Sequence, residues 1–265
     1  MTIADLKVGS KLVFGNYGVK DDVHPITWLK ANKEGVFISE FVLDWLKFDA
    51  PERSNPNRDN YWHGNADYET SNIIQFLNSY KDDWYNPMHT YDAPPGNVEN
   101  IADAPGDYVN HTGFLHYFSE YELNCLVSRI DLPSSENIYG NGVCPKLQVF
   151  NRKGFRGRPS ADLLRKRGVG GLREGSYCNF WLRDSYYPDD YYRVSYVDRS
   201  GQKHMMYASL PLGLRPICTI DQKASVEQLP DGSGYRIVPF ETEDIRVRSD
   251  KVCTDDEFLE LMGLL

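Results

Sequence analysis

The residues of this chain that are best suited to chemistry cluster between Ser185 and Tyr207, where tyrosine, aspartate and serine recur at short spacing. Six of the 18 tyrosines fall in this stretch. Tyrosine gives a large, stiff contact area with a polar tip, which is why recognition surfaces favour it. We therefore predict a ligand-binding surface built from Ser185, Tyr186, Tyr187, Asp189, Asp190, Tyr191, Tyr192, Ser195, Tyr196, His204 and Tyr207.

The carboxylates of the same stretch add to this prediction. They would make the surface acidic and suited to a basic or hydroxyl-rich ligand: Asp184, Asp189, Asp190 and Asp198. Carboxylates also bind calcium, but Trp181-Leu182-Arg183-Asp184 lacks the further oxygen ligands that a calcium lectin site needs. We predict solvated carboxylates and no bound metal. The alternative to a recognition surface is an ordinary pair of strands with exposed tyrosines.

Sequence motifs for catalysis or for a bound cofactor are missing. Gly168-Val169-Gly170-Gly171 lacks the Lys-Ser/Thr that completes a phosphate-binding loop, and no G-x-S-x-G occurs. The histidines show no metal-binding spacing: His63, His89, His111, His116 and His204. The cysteines form no C-x-x-C pair: Cys125, Cys144, Cys178, Cys218 and Cys253. We predict a protein that is not an enzyme, has no cofactor and buries its free thiols.

Composition limits the partners further. The chain has 265 residues and a net charge of −9, which argues against general nucleic-acid binding. The basic residues between Arg152 and Arg173 could contact phosphate or an acidic neighbour, although a solvated loop is favoured. The first seven residues contain no apolar signal core, and no window reaches transmembrane length. We predict cytoplasmic synthesis without a signal peptide, and no membrane contact.

The elements that must position the tyrosine-rich stretch follow from periodicity and turn residues. Strands are predicted at 11–18, 26–30, 36–39, 146–150, 179–183, 191–198, 204–209, 213–220 and 235–239, and helices at 71–78, from Ser119, at 161–167 and at 258–265. Residues 41–48 fit a strand or a turn of helix, whereas 50–68, 86–110 and 133–142 are predicted loops. Because strands and helices do not alternate regularly, the pattern favours an α+β fold with antiparallel sheets, short helices and long loops.

An ordered set of short motifs carries a resemblance to a known family. The set begins with Gly9-Ser10-Lys11, Phe14-Gly15-Asn16-Tyr17, Ile26, Trp28, Ile38-Ser39, Leu43-Asp44 and Tyr61-Trp62, and continues with Ser71, Phe76-Leu77-Asn78, Phe118-Ser119-Glu120, Asn179-Phe180-Trp181-Leu182-Arg183 and Gly213-Leu214-Arg215-Pro216. In this order the motifs resemble the bacterial and phage family catalogued as domain of unknown function 6273. The resemblance covers about residues 7 to 220.

The last two motifs also look like proteins of the C-type-lectin fold, in its formylglycine-generating-enzyme-like branch. Diversity-generating retroelements use this branch to display hypervariable residues, and replacing adenines in asparagine codons yields Tyr, Asp, Ser and His. The resemblance implies one C-type-lectin-like domain at 1–221, with a variable ligand-binding region at 183–209 and a C-terminal extension at 222–265.

The function that this resemblance implies is binding of a protein or glycan on a host or neighbouring cell surface. A homo-oligomer or a virion component, such as a phage tail part, is a further expectation about partners. The first alternative is a fixed-sequence phage tail or cell-surface module of the same fold. The second alternative is an enzyme of the formylglycine-generating type, for which Cys218 and Cys253 are the nearest candidate cysteines.

Overall fold

Two β-sheets and several short helices make up the fold, which confirms the predicted α+β class. The computed structural model describes residues 1–96, 108, 110–141, 146–151, 156–165, 172–173, 175–186 and 190–239. The strands are β1 (Lys11–Val19), β2 (Asp22–Lys30), β3 (Val36–Ser39), β4 (Asp44–Lys47), β5 (Phe180–Ser185), β6 (Arg193–Val197), β7 (Lys203–Tyr207), β8 (Pro211–Leu214), β9 (Ile217–Thr219), β10 (Val226–Gln228) and β11 (Tyr235–Ile237). The α-helices are α1 (Arg58–His63), α2 (Asn72–Leu77), α3 (Glu120–Leu123), α4 (Ser135–Tyr139) and α5 (Ala161–Arg165), and 3₁₀ turns occur at Ile3–Asp5, Tyr68–Thr70, Phe114–Tyr117 and Gln148–Asn151.

The first sheet has the order β10-β11-β1-β2-β3-β9 and contains the longest strands. The pairing of β1 with β2 shifts register between Val13 and Asn16, and Gly15 in this bulge has φ +65°. The extra residue changes which side chains face inward, so that Leu12, Phe14 and Tyr17 are all buried. The indole N–H of Trp28 donates to the Phe14 carbonyl at 2.8 Å, which ties the two strands together inside the core.

The second sheet has the order β4-β8-β5-β6-β7 and presents buried side chains on both of its faces. Trp181 on β5 packs with the first sheet's core residues, and its indole N–H donates to the Leu46 carbonyl at 2.9 Å. Phe180, the neighbouring residue, faces the second hydrophobic cluster. The pairs in both sheets are antiparallel apart from β1 with β11 and β5 with β8, which are parallel. Strand β7 is an edge strand of the second sheet.

Four predicted segments differ in the structure. Residues 213–220, predicted as one strand, form the end of β8 in the second sheet and β9 in the first. Residues 146–150, predicted as a strand, contain the 3₁₀ turn Gln148–Asn151. Leu147 and Phe150 are both buried in the second cluster, and a spacing of three residues brings side chains to the same side of a 3₁₀ turn. Helices α1 and α4 lie in segments predicted as loops. Each begins at a polar cap, Asn57 or Ser134, whose side chain accepts a backbone N–H.

The residues after Asp221 contribute to the first sheet. Strand β11 pairs with β1, and β10 pairs with β11. Val226 and Ile237 are buried in the same cluster as the residues of β1. The predicted C-terminal extension, 222–265, thus contributes two strands to the first sheet, while the helix predicted at 258–265 lies outside the described residues. Within the described part of the chain, no helix is long and apolar enough to cross a membrane.

Candidate functional site

Helix α1 is anchored against the ends of strands β6 and β7, and this contact creates the candidate site. Asn57 caps the start of the helix, and Gly64 caps its end with a φ of +74° that turns the chain away. The carbonyl of His63, the last residue of α1, accepts the backbone N–H of Ser209 at 2.9 Å. The side-chain amide of Asn60 donates to the Tyr191 carbonyl at 3.0 Å. The chain that precedes β6 and the chain that follows β7 are therefore both fixed to one short helix.

Three aromatic rings stack at this junction. The ring of His63 lies parallel to that of Tyr207, with centroids 3.8 Å apart and 10° between the planes. Tyr192 adds a third ring, with its centroid 5.9 Å from that of Tyr207 and 5.6 Å from that of His63. Burial lowers the pKa of His63, so its imidazole is neutral near pH 7. The stack is therefore a contact between uncharged rings.

Aromatic side chains in and beside the stack are open to solvent. Tyr191 is 61% exposed, Trp62 is 50% exposed and Tyr207 is 38% exposed. The Arg53 guanidinium covers one side of Trp62, with its Cζ atom 4.3 Å from the ring centroid. We use the term aromatic surface for Tyr61, Trp62, His63, Tyr191, Tyr192 and Tyr207. Exposed rings on a rigid backbone offer apolar contact area to a partner at small entropic cost.

A polar pocket of about 320 Å³ adjoins the aromatic surface. It is lined by Glu52, Asn55, Asn57, Asn60, Asn65, His89 and Tyr191. Burial raises the pKa of the Glu52 carboxyl above its ordinary value. One carboxylate, four carboxamides and a histidine thus surround the pocket. Tyr191 lies at its rim and belongs to both the pocket lining and the aromatic surface. The pocket can form hydrogen bonds with a ligand that the rings contact.

The structure separates the predicted binding residues into different places. Tyr191, Tyr192 and Tyr207 meet in the aromatic surface. Tyr196 is half-buried and packs against the cluster of core residues that contains Trp181, because the two residues are paired in the β5–β6 register. His204 lies opposite Tyr196 on the neighbouring strand β7, with ring centroids 5.8 Å apart. Tyr186 lies near Lys203, whose Nζ atom is 5.7 Å from the ring centroid.

Other predicted residues have internal roles. Ser195 is 0% exposed and Asp190 is 6% exposed, so both side chains are buried rather than displayed on the surface. The Asp190 carboxylate is paired with the Nε atom of Arg193 at 2.8 Å and also accepts the Arg193 backbone N–H. Ser185 is half-buried, and its carbonyl accepts the Ser195 hydroxyl at 3.5 Å. Tyr187 and Asp189 lie outside the described residues.

The expectation of a freely solvated acidic face is not met by the described aspartates. Asp198 accepts hydrogen bonds from the backbone of Ser200 and Gln202 in the turn between β6 and β7. Asp184 accepts the backbone N–H of Ser135 at the start of α4. Together with the buried Asp190, these carboxylates hold turns and a helix start. Of the three, Asp190 is paired with a cationic side chain, Arg193, whereas Asp184 and Asp198 accept backbone N–H groups.

Sequence reasoning missed the parts of the site that lie far from the tyrosine-rich stretch. Trp62, His63 and Glu52 come from a segment predicted as loop, more than a hundred residues earlier in the chain. One local signal was present, since Asn57 and Gly64 bracket a six-residue segment in the manner of a capped helix. The contact of that helix with β6 and β7 depends on the complete fold.

A second group of side chains has metal-ligating types. Ligand atoms of Asp22, His24 and Asp162 lie within 4.8 Å of one another. The Arg165 guanidinium is paired with Asp162, and its Nη2 atom lies 3.4 Å from His24 Nε2. The Arg165 guanidinium thus already supplies a positive charge to Asp22, His24 and Asp162. Together the four side chains form an ion-pair network between α5 and β2.

The thiols of the described residues are buried. Cys125, Cys178 and Cys218 are free and buried, and burial raises the pKa of Cys218 well above its ordinary value. A reactive cysteine needs a lowered pKa, so the environment of Cys218 disfavours a nucleophilic role. Cys144 and Cys253 lie outside the described residues.

Comparison with protein-family models identifies the family of this chain. The family model described as domain of unknown function (DUF6273) matches residues 36–222. This range includes α1, β6 and β7, and with them the whole aromatic surface. No curated protein and no solved structure matches the chain.

Proposed function

This chain belongs to the DUF6273 family, and we propose that it is a ligand-binding protein whose contact area is the aromatic surface. The observation that carries the proposal is the exposure of Trp62, Tyr191 and Tyr207 on three segments that hydrogen bonds hold together. Large exposed rings are unfavourable for solubility, whereas at interfaces they supply much of the binding energy. The ligand class that fits is a protein or a glycan on a host or neighbouring cell surface.

We also propose that the fold that carries this surface is C-type-lectin-like, of the formylglycine-generating-enzyme-like branch. The supporting observation is that late strands return to early ones, β9 to β3 and β8 to β4. Strands β6 and β7, which lie between β5 and β8 in the chain, form a hairpin at the edge of the second sheet. A rigid sheet that carries an exposed hairpin suits the display of binding residues.

We also propose that residues 183–209 are diversified by a retroelement in a phage or a bacterium, where the chain would act as a receptor-binding part of a virion. The support is the composition of this region together with the exposure of Tyr191 and Tyr207. A residue can vary without loss of folding only where its side chain is not packed in the core. The alternative is a phage tail or cell-surface module of the same fold with a fixed sequence.

The experiment that tests binding uses two probe collections, an array of bacterial surface polysaccharides and a displayed random-peptide library. We expect the wild-type protein to select probes that the double variant Trp62→Ala/Tyr191→Ala binds at least about tenfold more weakly. Both side chains are exposed, so the melting temperature should stay within about 2 °C of the wild type. Tyr121→Ala is the matched control, because Tyr121 is a 38% exposed tyrosine on α3, outside the aromatic surface.

Two results would count against this proposal. Equal binding by the wild type and the double variant would show that the rings make no contact with the selected probes. A large fall in melting temperature would show that Trp62 and Tyr191 stabilise the fold rather than present a surface.

A further inference from the structure

The pocket beside the aromatic surface contains a buried carboxylate whose hydrogen bonding is incomplete. Glu52 is 1% exposed, and its Oε2 atom accepts the side-chain amide of Asn55. Its Oε1 atom receives no hydrogen bond from any residue in the described part of the chain. His89 Nε2 lies 3.3 Å from Oε1 but outside hydrogen-bonding geometry. A buried carboxylate oxygen without a donor is unfavourable, so a ligand that donates to Oε1 supplies a hydrogen bond that the described residues do not.

Two carboxamides at the pocket wall also have unused capacity. The Oδ1 atom of Asn57 accepts the Asp59 backbone N–H, but its Nδ2 group bonds no described residue. Asn60 uses its Nδ2 group for the carbonyls of Gly64 and Tyr191, and its Oδ1 atom bonds no described residue. The wall therefore offers two acceptors, on Glu52 and Asn60, and one donor, on Asn57.

This combination matches the chemistry of neighbouring hydroxyl groups. A hydroxyl donates one hydrogen bond and accepts others, so a vicinal pair can use a carboxylate, a carbonyl oxygen and an amide together. The exposed ring of Tyr191 at the rim gives an apolar face for the C–H groups of a pyranose. A volume of about 320 Å³ lies within the range of small-ligand sites.

We infer that the pocket formed by Glu52, Asn57, Asn60 and Tyr191 binds one sugar residue of a glycan. This inference rests on the proposed binding function and names its ligand class. The hydroxyl that reaches Glu52 Oε1 enters beside the His89 ring, whose side chain is 24% exposed. An ammonium ligand is a poorer fit, because the wall holds one carboxylate among four neutral carboxamides and a histidine.

The experiment titrates the full-length protein with methyl glycosides of glucose, galactose, mannose and N-acetylglucosamine, followed by protein-observed NMR. A ligand of this size is expected to bind with a Kd of about a millimolar. Glu52→Gln keeps an oxygen for Asn55 but removes the charge. Asn57→Asp keeps the oxygen that caps α1 but replaces the amide donor with an acceptor. Each variant should weaken binding of the preferred glycoside by about tenfold or more, at an unchanged fold.

The controls separate this inference from the proposed function. Tyr121→Ala is on α3, outside both the pocket lining and the aromatic surface, so it should leave glycoside binding within about twofold. If no glycoside binds, if a free amine such as ethanolamine binds instead, or if Glu52→Gln and Asn57→Asp bind like the wild type, the sugar pocket is refuted. The proposed function stands in those cases as long as Trp62→Ala/Tyr191→Ala still loses its polysaccharide or peptide probes.

Discussion

Replacing Gly15 by alanine tests how the β1 bulge is built. Gly15 has φ +65°, and a Cβ atom placed on it would lie 2.3 Å from the Phe118 ring. The positive φ costs an alanine about 1 kcal/mol. Forcing the buried ring to move costs about 1–3 kcal/mol more. The free energy of unfolding should therefore fall by about 2–4 kcal/mol, and the melting temperature by roughly 5–15 °C for a domain of this size.

A matched glycine isolates the conformational part of this penalty. Gly232 has φ +72°, but an added Cβ atom would meet only the Gln228 side chain, at 3.8 Å. Gly232→Ala should therefore cost about 1 kcal/mol. Urea unfolding of both variants, monitored by tryptophan fluorescence, gives the two values under the same conditions. The steric reasoning fails if Gly15→Ala is no more destabilising than Gly232→Ala.

A double-variant cycle identifies the neighbour that causes the clash. Phe118→Leu removes part of the ring and should itself destabilise the protein by about 1–3 kcal/mol. In Gly15→Ala/Phe118→Leu the alanine methyl gains space. The free energy of unfolding lost in the double variant should therefore be smaller than the sum of the two single losses, by at least about 1 kcal/mol. Strict additivity would mean that the Phe118 ring is not the obstacle. The cost of Gly15→Ala would then come from the backbone alone.

Two further predictions concern pH and sequence variation. Burial raises the pKa of Asp49 and Glu52, so the folded state binds their protons more tightly than the unfolded state, and the free energy of unfolding should fall as pH rises above about 4. Glu52→Gln removes one of these groups. Urea unfolding between pH 4 and 8 should show that its free energy of unfolding falls less steeply with pH than that of the wild type, and equal dependence on pH would contradict the assignment to Glu52. If residues 183–209 are diversified, sequencing of the locus should find a reverse transcriptase gene and a near-copy of this coding region that differs at adenines, with changes at Tyr191, Tyr192 and Tyr207 and none at the buried Ser195. Differences spread evenly along close relatives would favour the fixed-sequence module.

The regular parts of the fold could be predicted because their signals are local. Leu12, Phe14 and Trp28 alternate with less buried residues, as a strand with one buried face requires. The capping box of Ser119 and Glu122, predicted from a four-residue pattern, is present at the start of α3. Helices α1 and α4 carry a polar cap and a terminal glycine but no apolar period, since each buries a single side chain, Asn60 or Ile138. Periodicity alone therefore missed them.

The candidate site was predictable only in part, for two physical reasons. Strand alternation was available from the sequence and separates Ser195 from Tyr196, yet the prediction treated the tyrosine-rich stretch as one face. The meeting of Asn60 with Tyr191 joins residues 131 positions apart, and no local pattern encodes such a contact. Glu52 and Trp62 became candidates only once this long-range contact placed α1 beside the hairpin.

The motifs that carry the family resemblance and the residues proposed for binding do different physical work. Gly15 donates its N–H to the buried carboxylate of Glu122 at 2.7 Å, and the space that a Cβ atom on Gly213 would need is taken by the Asn179 carbonyl. Such positions tolerate few substitutions, because any added atom meets a packed neighbour. Tyr191 and Trp62 face solvent instead, so their replacement alters the contact area and leaves the packing intact. The proposed binding function therefore predicts that relatives keep the packed positions and differ at the exposed ones, so that the specificity of each chain has to be determined from its own surface residues.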